Sequence, residues 1–284
     1  MEVFKQSDKI QDYIAAKKKK GFSIGFVPTM GALHEGHLSL IKQAVEENDI
    51  CVCSIFINPI QFNNPADFQS YPTDIENDLK QLEEFGCTIV FHPNEKEIYP
   101  SKEIKEQSFD FHGLDKYMEG AYRPGHFNGV AIVVKRLFEI CLPDKAYFGK
   151  KDFQQLRIIE EMVKDYSLAV QIIPCEIKRE KSGLAMSSRN RRLSDEEKQQ
   201  AAKIYASLQK AKENYKKGFP LKDIKTLVEE NLQKIHNSNI EYVAFSDIHN
   251  LQPISDFSET KKCILCVAIY VNKVRLIDNI VLFS

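Results

Sequence analysis

The sequence lacks several features that mark specialised protein classes. Its 39 basic and 40 acidic side chains leave a net charge of −1. The chain therefore lacks the excess positive charge with which general nucleic-acid or anionic-membrane binders attract their partners. The longest apolar run, Cys263–Val271, is about half the ~20 residues of a membrane helix, and residues 1–21 are too charged for a secretory signal. We therefore expect a cytoplasmic protein with a small partner, and neither nucleic acid nor membrane.

Cysteine patterns and common nucleotide signatures are also sparse. Seven cysteines, an odd number found mostly in apolar segments, do not indicate a disulfide framework. Cys263 and Cys266 form a lone C-x-x-C with no second pair for a zinc site, and we predict no metal site. There is no G-x-G-x-x-G and no P-loop motif, which removes the main support for dinucleotide redox enzymes and P-loop NTPases.

The hydrophobic pattern that is present alternates short β-branched runs with longer helical periods. With 284 residues, 43% hydrophobic and 28% charged, the chain has a globular composition and room for about two domains. Strand, helix and strand in repetition predict right-handed crossovers and a parallel sheet. We therefore predict an α/β fold with a Rossmann-like parallel sheet and helices on both faces. The predicted strands are 22–27, 50–57, 87–91, 145–148 and 170–174.

The alternation of strands and helices ends near residue 176, and we predict domains at 1–176 and 177–284. The second is a smaller C-terminal α+β domain, with helices at 198–217 and 220–236 and strands at 241–245, 263–271 and 274–277. Capping boxes beginning at Thr73 and Ser194 predict helix starts. Lysines 17–20 before Gly21 predict a helix end rather than a basic patch.

The segment 28–37, with the sequence PTMGALHEGH, follows the first predicted strand and opens a helix. A helix start at the carboxyl end of a parallel strand favours anions, and glycines allow close approach of phosphate. His34 and His37 would share one face of the starting helix, where imidazoles can donate to phosphate oxygens. Three interpretations stay open from this segment alone: nucleotide binding, an exposed polar pair, and a zinc site that lacks a third ligand.

Two later segments favour the nucleotide interpretation. Residues 149–155, GKKDFQQ, again join a strand end to a helix start and should face the same crevice. Residues 186–190, MSSRN, offer two hydroxyls and a guanidinium beside the domain boundary, which suit phosphate oxygens. Each segment alone is compatible with a helix start or a linker, but their order along the chain favours one shared site.

The chain resembles the pantothenate synthetase family of pantoate:β-alanine ligases, in the H-x-G-H nucleotidyltransferase group, over nearly its whole length. The segments that carry the resemblance are 28–41, 54–62, 71–74, 123–130, 146–156 and 183–191. The resemblance implies an AMP-forming ligase of pantothenate biosynthesis. The pantoate carboxylate attacks the α-phosphorus of ATP to give pantoyl adenylate and pyrophosphate, and the β-alanine amine then displaces AMP. It also implies Mg²⁺ carried with ATP and a homodimer through the larger domain.

The resemblance further implies a role for each matching residue. His37 is the proton donor, near the reacting phosphates with His34. Gln61 and Gln155 are implied to hold pantoate. This role agrees with the chemistry, since neutral amides position a carboxylate that must act as nucleophile without neutralising it. The other residues lining the pantoate pocket are Asn58, Tyr71, Arg123 and His126. The remaining catalytic residues are Lys151, Ser187, Ser188 and Arg189. ATP is bound by Met30, Gly31, Ala32, Leu33, His34, Glu35, Gly36, His37, Gly149, Lys150, Lys151, Asp152, Lys178, Met186, Ser187, Ser188 and Arg189.

Some positions depart from the family pattern as the resemblance has it. Lys178 stands where a small apolar residue often lies beside adenine, and Ser182 where an aspartate commonly precedes the glycine. Two other functions stay open, namely a nucleotidyltransferase that passes AMP to a phosphate acceptor and a nucleotide sensor without catalysis. Because predicted phosphate contacts flank residue 176, we also expect the second domain to close over ATP as a lid.

Overall fold

A parallel sheet is covered by helices on both faces, so its strands are buried on both sides. In the computed structural model, which describes residues 1–283, every residue of Ile50–Ile55 is buried. The sheet has six strands, all parallel, in the order β1-β4-β3-β2-β5-β6. This confirms the predicted Rossmann-like architecture. The strands are β1 Glu2–Phe4, β2 Ile24–Thr29, β3 Ile50–Ile55, β4 Ile89–Phe91, β5 Lys145–Gly149 and β6 Gln171–Cys175.

The strand order reverses at β2, and this reversal determines where a ligand site forms. From β2 the chain runs through β3 and β4 to one side, whereas β5 and β6 lie on the other. Gly25 and Phe26 of β2 pair with Lys145 and Ala146 of β5, so the carboxyl ends of these two strands are neighbours. Ligands of open α/β sheets bind in the crevice at such a reversal.

Helices connect the strands and cover the sheet. The longest, α8, is buried over most of its length. In the second half of the chain, α11 and α12 pack against an antiparallel sheet, with Leu208, Ile224 and Val228 in the shared core. The helices are α1 Ser7–Lys18, α2 Glu35–Glu47, α3 Pro65–Gln69, α4 Ile75–Glu84, α5 Glu95–Ile98, α6 Lys102–Lys105, α7 Met118–Tyr122, α8 His126–Cys141, α9 Phe153–Asp165, α10 Asp195–Ala201, α11 Lys203–Lys216 and α12 Leu221–Gln233. Short 3₁₀ helices lie at Pro59–Gln61, Lys150–Asp152, Ser188–Arg192 and Phe257–Glu259.

Helix ends follow capping chemistry, with one correction. The capping box at Ser194 is confirmed, and the lysines before Gly21 end α1, with Gly21 in the left-handed region at φ 85°. The predicted box at Thr73 is wrong. Asp74 is the N-cap of α4, and its carboxylate accepts from the Asn77 N–H at 3.3 Å. An aspartate is a stronger cap than threonine and also carries charge that suits the helix dipole.

The described chain forms two compact units. The first comprises Met1–Phe111, Arg123–Lys150 and Gln155–Glu176. The second comprises His112–Tyr122, Lys151–Gln154 and the residues from Ile177 onward. The two short segments thus belong to the second unit although they lie within 1–176 in sequence. The division into an ATP- and pantoate-binding domain and a lid domain stays a prediction.

A three-stranded antiparallel sheet forms the centre of the second unit. Its order is β7-β8-β9, with β7 Ser238–Asp247, β8 Cys263–Val271 and β9 Val274–Phe283. Every residue of β8 except Tyr270 is buried, as expected of a central strand. The α+β prediction is therefore confirmed, although β7 and β9 extend beyond their predicted ends.

All seven cysteines are free and buried. Burial raises the pKa of the Cys175 thiol to about 11 and that of Cys263 to about 12, which keeps both protonated near neutral pH. Among the helices of residues 1–283, none combines the length and the apolar character that a membrane crossing requires.

Candidate active site

The loop between β2 and α2 leads from the carboxyl end of the central strand into the H-x-G-H motif, which comprises His34 and the first three residues of α2. Thr29 anchors its start, because its hydroxyl donates to the Ser54 carbonyl oxygen at 2.7 Å and accepts from the Gly31 N–H at 3.2 Å. Gly31 at φ 79° and Ala32 at φ 51° are both left-handed. Two such residues in a row turn the chain sharply, and the glycine makes the first of them easy.

A buried carboxylate holds the middle of this loop. Asp78 of α4 is 1% exposed, and its two oxygens accept from the N–H groups of Ala32 at 2.8 Å and Leu33 at 2.7 Å. Hydrogen bonds to an ionised carboxylate are stronger than neutral ones. The loop that precedes the histidines is therefore fixed by a residue 45 positions away from Leu33.

The two imidazoles lie together at the start of α2. His34 is the N-cap, with extended backbone, and its Nδ1 accepts from the Gly36 N–H at 3.1 Å. In the neutral ring this places the proton on Nε2, which makes that nitrogen a donor. The rings of His34 and His37 stack with centroids 4.0 Å apart. The expected proximity is present, although His34 precedes the helix instead of lying on its face.

Gln61 follows β3 and reaches the same loop. Its side-chain nitrogen contacts the Met30 sulfur at 3.3 Å, and its side-chain oxygen accepts from Asn58 at 2.9 Å. Asn58 is 1% exposed; it also donates to the Gly129 carbonyl oxygen at 3.1 Å and accepts from the Tyr99 hydroxyl at 2.6 Å. Asn58 thus supports Gln61 from within the protein.

The backbone of the turn that carries Gln61 is held by His126, the first residue of α8, and by Arg123, which precedes that helix. The carbonyl oxygen of Gln61 lies 2.8 Å from His126 Nδ1 and 3.5 Å from an Arg123 guanidinium nitrogen. Gly129 lets the helix approach closely, because a Cβ there would lie 2.6 Å from the Ile60 carbonyl oxygen. His126 and Arg123 therefore contact the peptide that carries Gln61.

Tyr71 belongs to an aromatic cluster after the same turn. Its ring meets the Phe62 ring edge-on at 5.8 Å, and Phe62 meets Phe68 at 5.3 Å. Edge-to-face contacts of this kind fix ring orientation. Tyr71 is therefore tied to the residue immediately after Gln61.

A second strand end supplies further predicted residues. Gly149 ends β5, beside β2, and Lys150 follows it and forms an ion pair with Glu176. Gln155 is the third residue of α9. Gly149 and Lys150 thus occupy the strand end adjacent to the H-x-G-H loop.

In the second unit, Lys151 and Asp152 lie in the 3₁₀ turn before α9. Lys151 Nζ is 3.9 Å from the Asp152 carboxylate, and Asn279 of β9 donates to the Lys151 carbonyl oxygen at 2.9 Å. This contact holds the backbone of the turn.

The other predicted residues of the second unit lie in a tight hairpin and in the 3₁₀ turn that follows it. The Met186 N–H donates to the Lys178 carbonyl oxygen at 3.0 Å, and Arg179 forms a two-pronged ion pair with Asp278 at 2.6 and 2.9 Å. Ser187 caps the Ser188–Arg192 turn by accepting from the Arg189 N–H at 3.3 Å. The hydroxyl and guanidinium groups therefore stand on an anchored turn instead of a free linker.

Contacts thus join Met30, Asn58, Gln61, Arg123 and His126 in the first unit. Lys178, Met186, Ser187 and Arg189 share the hairpin and the turn that follows it in the second. The binding roles of all these residues, and their meeting around one triphosphate, stay predictions.

Sequence reasoning missed Asp78, Tyr99 and Gly129. Only Asp78 left a signal, because the spacing of Ile75, Asp78 and Leu82 places the carboxylate on the apolar face of a helix. Tyr99 and Gly129 act through contacts that are distant in sequence.

A parallel sheet whose strand order reverses at β2, with two stacked imidazoles just beyond the end of that strand, defines an open α/β protein with a ligand crevice at the reversal. The family described as Pantoate-beta-alanine ligase matches residues 2–281. The pantothenate synthetase of Cytophaga hutchinsonii is 47% identical over 271 residues, 95% of each chain. The crystal structure of pantothenate synthetase from Thermus thermophilus covers 100% of both chains at 36% identity and a TM-score of 0.93.

A third relative was solved with ligands. The pantoate-beta-alanine ligase of Francisella tularensis, complexed with beta-gamma ATP and beta-alanine, has a TM-score of 0.82 at 35% identity, covering 99% of this chain and 98% of its own. The present chain belongs to the pantoate-beta-alanine ligase family and is a ligase.

Proposed function

We propose that this ligase condenses pantoate with β-alanine at the expense of ATP, through a pantoyl adenylate, and releases AMP and pyrophosphate. The observation that carries the proposal is the contact between the Gln61 side-chain amide and Met30, because Met30 lies in the loop that leads into His34 and His37. Membership of the family supports it.

In the first half-reaction a pantoate carboxylate oxygen attacks the α-phosphorus of ATP. The bond from that phosphorus to the bridging oxygen breaks, and pyrophosphate leaves with the electron pair. His34 Nε2 donates to the phosphates, since its Nδ1 is already an acceptor for Gly36. His37 donates a proton or hydrogen bond to the leaving oxygen, where charge grows in the transition state.

The pantoate site uses neutral groups. The Gln61 and Gln155 amides orient the carboxylate without forming an ion pair that would weaken it as a nucleophile. Asn58 fixes the Gln61 amide, and His126 fixes its peptide. Arg123 and Tyr71 complete the surroundings of this turn.

The remaining ATP contacts follow the family resemblance. Lys151, Ser187, Ser188 and Arg189 bind phosphate oxygens, and Asp152 binds a ribose hydroxyl. Lys178 contacts adenine through its backbone, so its departure from a small apolar side chain is tolerated. ATP enters as its magnesium complex, and the ion is part of the substrate.

In the second half-reaction the β-alanine amine nitrogen attacks the acyl carbon of the adenylate. The bond from that carbon to the phosphate oxygen breaks, AMP leaves with the electron pair, and the new amide loses a proton to solvent or buffer. Holding the adenylate among the residues above keeps water from competing for the same carbon.

The decisive experiment incubates the protein with Mg-ATP, pantoate and β-alanine and measures AMP, pyrophosphate and pantothenate. We expect steady AMP release only when both acids are present, and stoichiometric pyrophosphate release with excess enzyme and pantoate alone. Transfer of AMP to a phosphate acceptor would favour a nucleotidyltransferase, and tight ATP binding without turnover would favour a sensor. Either result would contradict the proposal.

The helix contact at Gly129 gives a prediction for pantoate binding. Gly129→Ala should raise the KM for pantoate about 10- to 100-fold, because the new methyl group pushes the Gln61 turn away from α8. Val134→Ala, a buried change on the same helix, is the matched control for loss of stability alone. Steady-state kinetics with pantoate varied would measure both. An equal KM in the two variants would contradict the role of the close approach.

We also propose a homodimer and a cytoplasmic location, as the family resemblance implies. Light scattering should give twice the monomer mass. A monomer mass across a wide concentration range would contradict the dimer.

A further inference from the structure

We propose that Asp78 is a positioning residue for adenylate formation: its carboxylate sets the backbone of the loop that presents His34 and His37. The inference rests on the proposed function and goes beyond it, because Asp78 touches no substrate in that scheme.

The contact geometry singles out this carboxylate. Each of its oxygens accepts one N–H, from Ala32 at 2.8 Å and from Leu33 at 2.7 Å, and its side chain is 1% exposed. A carboxylate offers acceptors only, so it matches two adjacent N–H donors that point the same way. A neutral amide in its place presents one oxygen and one NH₂ group, and the NH₂ group would face a donor.

The loop needs such a constraint. Ala32 has φ 51°, a backbone conformation that residues other than glycine adopt only when surrounding contacts impose it. Leu33, which follows, is buried to 1% exposure and directly precedes His34. The two hydrogen bonds therefore fix the backbone immediately before His34. That backbone determines where His34 and the start of α2 lie.

The loop has a separate anchor on its other side. The Thr29 hydroxyl holds the Gly31 N–H at 3.2 Å, next to Met30, which contacts Gln61. Loss of the Asp78 contacts should therefore displace His34 and His37 more than it displaces Met30 and the turn that carries Gln61. This asymmetry predicts a kinetic signature in which the two half-reactions respond differently.

The test measures the half-reactions separately in the full-length protein. Asp78→Asn is nearly isosteric, and a cavity of about 300 Å³ lined by Asp78, Met30 and His92 gives it room to adjust. We expect single-turnover pyrophosphate release from Mg-ATP and pantoate to slow about 100-fold. AMP release from supplied pantoyl adenylate with β-alanine should stay within about twofold of native.

Asp74→Asn is the matched control, because it removes a carboxylate from the same helix while asparagine still caps it. It should leave both half-reactions unchanged. Asp78→Ser, which removes the charge and one acceptor, should repeat the Asp78→Asn pattern and serves as the second variant if that protein does not fold.

Several outcomes would overturn the proposal. Native-like pyrophosphate release in Asp78→Asn would do so, and so would an equal slowing of both half-reactions, which is the mark of a purely structural role. Failure of both Asp78 variants to fold would likewise show that the residue serves the fold. If the native protein catalyses neither half-reaction, the proposed function fails as well, and that result is distinct from the others.

Discussion

Replacing His37 by alanine is expected to lower turnover about 100- to 1,000-fold while the protein stays folded. The imidazole stands at the start of α2, stacked on His34, where the leaving pyrophosphate would gather charge. Alanine removes the donor but suits a helix, so the loss falls on the transition state. Pyrophosphate release in single turnover measures the effect, and circular dichroism checks the fold.

An exposed histidine provides the control for this variant. His236→Ala changes the same side chain outside the proposed site and should keep native turnover. A His37→Ala protein with near-native pyrophosphate release would remove His37 from the mechanism. A loss confined to AMP release with β-alanine would move its role to the second half-reaction.

Replacing Arg275 by methionine should lower the free energy of unfolding by about 3–5 kcal/mol. Arg275 on β9 binds both oxygens of Glu119 at 2.7 Å, and its Nε donates to Glu241 at 3.1 Å. Glu119 is 9% exposed and also accepts from the Tyr242 hydroxyl. Without the guanidinium, two carboxylates face each other in a buried place, and that cost exceeds the cost of losing the contacts.

Denaturant unfolding of the variant measures this change. Arg275→Lys keeps the charge but cannot bind two carboxylates with a planar fork, so it should fall between native and Arg275→Met. Lys42→Met removes an exposed ion pair with Glu46 and should cost less than about 1 kcal/mol. If Arg275→Met matched Lys42→Met, the buried network would contribute little to stability.

The sheet could be predicted because its information is local. Runs such as Ile50–Ile55 are buried on both sides, and turns and helix signals separate them. The strand that went unpredicted, Glu2–Phe4, has three residues at a sheet edge and is defined by its pairing with β4. Likewise Val274–Phe283 runs past its predicted end, because pairing with β8 continues through the polar residues Asp278 and Asn279.

The position of the H-x-G-H motif in the fold was predictable, but the contacts around it were not. The motif's place after β2 follows from strand and helix periodicity, and the crevice follows from the strand order. His34 as an N-cap could not be read from spacing, since an imidazole that accepts a backbone N–H replaces the usual aspartate or asparagine. The Asn58 contact with Gly129 spans 71 positions and depends on how α8 packs, which no local pattern encodes.

The distribution of buried thiols gives the protein a built-in reporter of local opening. Cys51, Cys53, Cys87, Cys141 and Cys175 lie in the first unit, and Cys263 and Cys266 in the second. An alkylating reagent reaches a shielded sulfur only when the surrounding structure opens, so labelling rates follow opening events. Peptide mass mapping after brief alkylation would then show which unit opens more readily, without any engineered cysteine.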